Sequence, residues 1–179
     1  MTDQPKKTLS RYAMEYGVYV GGYLILMFAC VVWSQYSVIA NLMGTAMLVS
    51  VPAILYIVMR HYVRAEADVR FARLWLLGIF VFFFASLISG FAQYIYFEYI
   101  NPDWIPSLVE QQLALLEAMG SQSPEMAELA DVLRTGVDNG VSFAPIDVVF
   151  MMMWWNVFTG SILSLFVALF ARISNRQKS

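Results

Sequence analysis

Reactive side chains are scarce in this sequence. It has one cysteine, Cys30, and one histidine, His61. A single cysteine rules out an intramolecular disulfide and any paired-cysteine zinc spacing. His61 follows Arg60 at the end of an apolar run, and the nearby Glu66 and Asp68 form no recognisable catalytic spacing. Nucleophilic or metal chemistry built on histidine and cysteine therefore has little to work with, and no cofactor is expected. Charge is scarce as well: 13% of the 179 residues are charged and 60% are hydrophobic. Soluble domains hold about 25% and about 45–50% respectively, so the composition points to a membrane.

Four stretches are long and apolar enough to span a bilayer, which takes about 20 residues of helix. They lie at residues 16–36, 38–60, 74–100 and 146–173. Helices are the physical choice, because lipid offers no partner to open strand edges, and barrel strands alternate over only about 10 residues. The first stretch is expected to remain as a span and not to be cleaved as a signal: Phe28 is bulky before Cys30, and the apolar run continues through Trp33. Only "SQYS" separates the first two spans, which predicts a tight helical hairpin. Pro52 should kink the second span, with a neighbouring helix satisfying the carbonyl it frees.

Basic residues sort by side. Lys6, Lys7 and Arg11 precede the first span; Arg60, Arg64, Arg70 and Arg73 follow the second; Arg172, Arg176 and Lys178 close the chain. Only Arg134 of the eleven lies between spans three and four. The positive-inside rule then puts both termini in the cytoplasm. Nine of the thirteen acids fall on or near the opposite segment, 101–145, which argues against nucleic acid as a partner. Arg60, Arg64, Arg70 and Arg73 are candidate contacts for anionic lipid, or simply set topology.

The 101–145 segment reads as two short amphipathic helices. Trp104, Ile105, Leu108, Val109, Leu113, Leu116 and Met119 form one stripe, with Asp103 as cap and Gly120 as stop. Met126, Leu129, Ala130 and Leu133 form a second, with Ser123 as cap, Pro124 in the first turn and Gly136 as stop. Their polar faces carry Glu and Asp, where interfacial helices usually carry Lys and Arg. Packing on each other, as a lid or as a partner surface, is the expectation. The candidate outer interface comprises Glu98, Asp103, Trp104 and Asp147, close to a belt of Tyr94, Tyr96, Phe97 and Tyr99. Asn101–Pro102 should break the helix there.

Inside the spans no charged residue is central; Glu15, Glu98 and Asp147 sit at the ends. An ion or proton pathway normally shows one. Small residues four apart are Gly17 and Gly21, Ser86 and Gly90, and Gly160 and Ser164. Such pairs let helices approach closely, within one bundle or across a homodimer. Met151, Met152 and Met153 are consecutive, so they point around the helix and make no metal-binding stripe.

"YGVYVGGYLILMF" in the first span, "FFASLISGFAQYIYFEYINPDW" at the exit of the third and "GSILSLFVALFARI" before the basic tail together resemble a bacterial membrane family, domain of unknown function 4199. The resemblance covers most of the chain. It implies a compact four-span inner-membrane protein, all-α, with a two-helix extracytoplasmic insert between spans three and four. It implies no activity. Three functions stay open: a non-enzymatic accessory subunit of an envelope-associated complex, an oligomeric carrier of lipid or small molecules, and an enzyme using outer carboxylates.

Overall fold

A computed structural model describes residues 8–66, 69–121, 123–139 and 144–176, with side chains through 171. Lys6, Lys7, Asp68 and the basic side chains of the C-terminal tail lie outside the described residues. Among the described residues the regular structure is all helical: α1 (Leu9–Trp33), α2 (Val38–Ala65), α3 (Phe71–Ile95), a π-helical turn (Tyr96–Ile100), α4 (Trp104–Gly120), α5 (Pro124–Asp138) and α6 (Pro145–Arg176). Four of these segments, Leu9–Trp33, Val38–Ala65, Phe71–Ile100 and Pro145–Ala171, are long and apolar enough to cross a membrane. Contacts divide the chain into two compact units. One comprises Met1–Ala92 with Met152–Ser179, and the other Gln93–Met151.

In the first unit, α1 starts seven residues before the apolar run. Its first turn is polar: Thr8 precedes it in extended geometry, its carbonyl accepts from the Arg11 and Tyr12 amides, and Arg11 pairs with Glu15 one turn on at 3.8 Å. Such an exposed pair adds only about 0.3–0.5 kcal/mol. The helix ends at Trp33, and Ser34–Ser37 turn the chain back into α2. At the far end of this hairpin Tyr12 meets Tyr62 edge-on at 5.2 Å, and Tyr16 lies 6.3 Å from the His61 ring. Aromatic contacts thus tie the start of α1 to the end of α2.

Half of the apolar window of α3 is buried, against 17–28% in the other three spans, which makes α3 the central helix. Leu74, Leu77, Val81 and Ala85 are essentially inaccessible, and their spacing of three and four keeps them on one face. In lipid, burying apolar surface brings little hydrophobic gain, so helices associate through close packing and hydrogen bonds. The approach here is glycine-mediated. A Cβ on Gly17 would come within 2.6 Å of Phe84 Cβ, and one on Gly21 within 3.2 Å of the Ala85 carbonyl. From the other side, Gly160 of α6 receives the Phe82 ring, and Gly78 of α3 receives Ser164. The Trp75 indole N–H donates to the Ser161 carbonyl at 3.1 Å and ties α3 to α6 again.

Pro52 lies within α2, and the carbonyl it deprives of a partner is that of Leu48. The interhelical bond falls one residue earlier: the Tyr23 hydroxyl of α1 reaches the Met47 carbonyl at 2.8 Å and also contacts the Ser50 hydroxyl. Ser50 donates to the same carbonyl at 2.8 Å. Tyr23→Phe is expected to lower stability by about 0.6–1.7 kcal/mol, the range measured for interhelical bonds in membranes. Thermal unfolding of the full chain in detergent checks this; an unchanged midpoint would show that the bond contributes nothing.

In the second unit, α4 and α5 form an antiparallel pair. Gly120 lets α4 meet the backbone of Ala127, where an added Cβ would come within 3.0 Å of its Cα. The expected cap and stop residues are only partly matched here. Asp103 precedes α4, but in helical geometry (φ −79°, ψ −5°) and without a side-chain cap bond. Ser123 has the extended geometry of a cap, also without a side-chain bond. Gly136 does not stop α5, which continues to Asp138. Nothing crowds Gly136 within 4 Å, so the helix meets no obstacle to one further half-turn.

Candidate functional site

The corner that leaves α3 is built on its π-helical turn. The Asn101 amide reaches the Tyr96 carbonyl, five residues back, at 2.8 Å, and the Asn101 side chain donates to the Tyr96 hydroxyl at 3.2 Å. Turns of this kind are rare and occur often at functional positions. Within the corner Phe97 is wholly buried, and Trp104 stacks on it at 5.0 Å with 26° between the rings. Trp104 and Ile105 are therefore buried anchors at the base of α4. Glu98 and Asp103 are exposed, and so is Asp147 in the first turn of α6. A carboxylate there complements the positive end of the helix dipole. Among the described residues, no three of His, Cys, Asp and Glu come together in a way that could hold a metal ion. Gln93 is buried, and its side-chain oxygen accepts no hydrogen bond in the structure.

The α4–α5 pair has two distinct edges. On one, Arg134 donates to Glu117 at 3.2 Å. Leu115 and Val132 each precede a member of that pair by two positions, so each points about 200° away around its helix. Met119 lies one turn beyond Leu115, and Leu129 one turn before Val132. All four are more than half exposed, Val132 the most at 64%. The pair therefore uses one face of each helix for its own packing and leaves a second apolar face uncovered. The expected stripes place Leu129 and Met119 in the contact between the helices; the structure instead gives them to the uncovered face. Leu115 and Val132 were absent from both stripes, because a two-faced helix shows no single apolar period.

The small-residue candidates lie inside the first unit. Gly17 and Gly21 face α3, Gly160 and Ser164 face Phe82 and Gly78, and Ser86 and Gly90 are buried on α3. The Ser86 hydroxyl donates to the Phe83 carbonyl at 2.9 Å, and that of Ser164 to Gly160 at 2.6 Å, so each is satisfied within its own helix. Gly78, as crowded as Gly160, has no small partner four residues away and carried no signal of its own. Arg60 and Arg64 close α2, Arg70 precedes α3 and Arg73 lies in its first turn; all four are exposed.

Four membrane-crossing helices and an apolar, charge-poor interior define a multi-pass membrane protein. The chain matches the family described as "Protein of unknown function (DUF4199)" over residues 15–172 and belongs to it. No curated protein and no solved structure matches the chain.

Proposed function

We propose that this protein is a non-enzymatic interaction subunit of the bacterial inner membrane, with both termini cytoplasmic and the α4–α5 hairpin presented outside as its docking element. One observation carries the reading: the uncovered apolar face of Leu115, Met119, Leu129 and Val132. A contiguous exposed apolar surface in a water-facing segment usually marks a contact site. The basic residues flanking the first, second and fourth spans support the orientation.

The test uses the full chain in its native membrane. Chemical crosslinking and purification in mild detergent compare the native protein with a Leu115→Glu/Leu129→Glu variant and with one whose residues 107–143 are replaced by a short linker. Loss of the same crosslinked partner in both variants is expected. A native chain that stays solitary, or a partner retained by both variants, would overturn the reading.

A further inference from the structure

The α1–α2 hairpin carries a groove near its turn, with a volume of about 230 Å³. Met27, Cys30 and Val31 line it from α1, and Asn41, Gly44 and Thr45 from α2, with Ser34 at the turn and Leu48 at the far end. Gly44 keeps its floor open: an added Cβ would meet only Cys30, at 3.6 Å. Polarity changes along the groove's length. Near the turn, the Ser34 hydroxyl donates to the Val31 carbonyl at 2.6 Å, so its oxygen presents lone pairs outwards. The exposed Asn41 amide offers donors as well as an acceptor. Deeper in, Thr45 donates to the Asn41 carbonyl at 3.0 Å and is satisfied within its own helix. Apart from Thr45, the walls towards Leu48 and Met27 are apolar.

We propose that this groove holds one membrane glycerolipid, with an ester carbonyl accepting from the Asn41 amide, a headgroup O–H or N–H donating to the Ser34 oxygen, and an acyl chain along Gly44 towards Leu48. Three features select lipid as the occupant. The surrounding face of α2 is apolar and open, with Val38, Ile39 and Leu42 each more than 70% exposed, so in a spanning hairpin lipid is the solvent that meets it. Asn41 lies three residues into α2, about 4.5 Å along its axis. That depth falls within the headgroup layer, which accounts for the difference between about 30 Å of hydrocarbon and about 40–45 Å of whole bilayer. Finally, none of the lining residues is an arginine, lysine or carboxylate. Phosphate recognition would call for arginine or lysine, so the Asn41 amide donating to an ester carbonyl, with Ser34 accepting from the headgroup, carries the contact. Acceptors and donors at headgroup depth, followed by an apolar channel running inwards, match a glycerolipid in the same order.

The test compares the native chain with Gly44→Leu, which fills the groove, and Asn41→Leu, which removes the polar anchor. Gly22→Leu serves as the control, because it adds the same side chain to the same hairpin in open space. Each protein is reconstituted in vesicles of phosphatidylglycerol and phosphatidylethanolamine, re-extracted in mild detergent and washed, and the lipid per chain is counted by mass spectrometry. Thermal unfolding confirms that each variant is folded. The native chain and Gly22→Leu are expected to keep a tightly held lipid, and the two groove variants about tenfold less, as follows from losing one well-placed contact. Equal retention by all four proteins, or none by the native chain, overturns the proposal. So does crosslinking of Cys30 to Cys30 between native chains, which would put a second copy at the groove.

Discussion

Gly78→Leu is expected to abolish recovery of folded protein. The Cβ of any residue at 78 would stand 2.6 Å from Ser164 Cβ and 2.8 Å from the Met59 methyl. The methyl is the end of a flexible side chain and can move. Ser164 Cβ is fixed to the backbone of α6, so the helices themselves must separate. Inserting methylenes into a packed core costs about 1–3 kcal/mol and occasionally more; here the first added carbon already has no room and leucine adds three further carbons, so the cost is expected to approach a total stability of roughly 5–15 kcal/mol. Separation would also stretch the Trp75–Ser161 bond and withdraw Phe82 from Gly160. Size-exclusion recovery and thermal unfolding in detergent check the outcome, with Gly22→Leu as the neutral comparison. Gly78→Ala is the graded version, and Ser164→Gly in the same chain should recover much of its loss. Additive effects in that double-mutant cycle would show that the two residues do not meet.

Phe97→Ala should have the next largest effect, confined to the second unit. Phe97 is wholly buried and stacked on Trp104, and removing a buried phenylalanine side chain costs about 3–5 kcal/mol. The stacked pair joins the π-helical turn to the base of α4, so its loss should free the hairpin. Limited proteolysis is expected to cut within 101–145 much faster in the variant than in the native chain. Tyr99→Ala, whose ring is 74% exposed, should leave the pattern unchanged. Equal protection of Phe97→Ala and the native chain would mean that α4 is anchored elsewhere.

The four long helices were legible because a bilayer demands a long apolar run, and nothing else in a chain this short produces one. Their ends were less so. Hydropathy reports where lipid lies, whereas α1 continues through the polar Arg11–Glu15 turn and α2 continues past Arg60 to Ala65. Ser123–Pro124 and Gly120 marked the hairpin through local backbone chemistry. The contacts that hold the structure were hidden. Gly78 meets Ser164, 86 residues away, only because α3 and α6 align at one register, and that register leaves no local pattern. Tyr23 sits among apolar residues as if facing lipid, and its bond to Met47 appears only once α2 is placed beside it. The π-helical turn was equally silent, since "YFEYI" looks like an aromatic belt whatever its backbone does.

The four-residue turn between α1 and α2 also bears on how the chain enters the membrane. Fully extended, four residues reach about 13–14 Å, less than half of the roughly 30 Å hydrocarbon layer. Trp33 and Val38 must therefore emerge on the same face of the bilayer, and neither helix can be inverted without the other. Arg11 at the start of α1 and Arg60 and Arg64 at the end of α2 then act as a single vote on topology. Moving positive charge to the turn should flip the hairpin as one piece or leave it in place. No half-inserted arrangement is available to the insertion machinery.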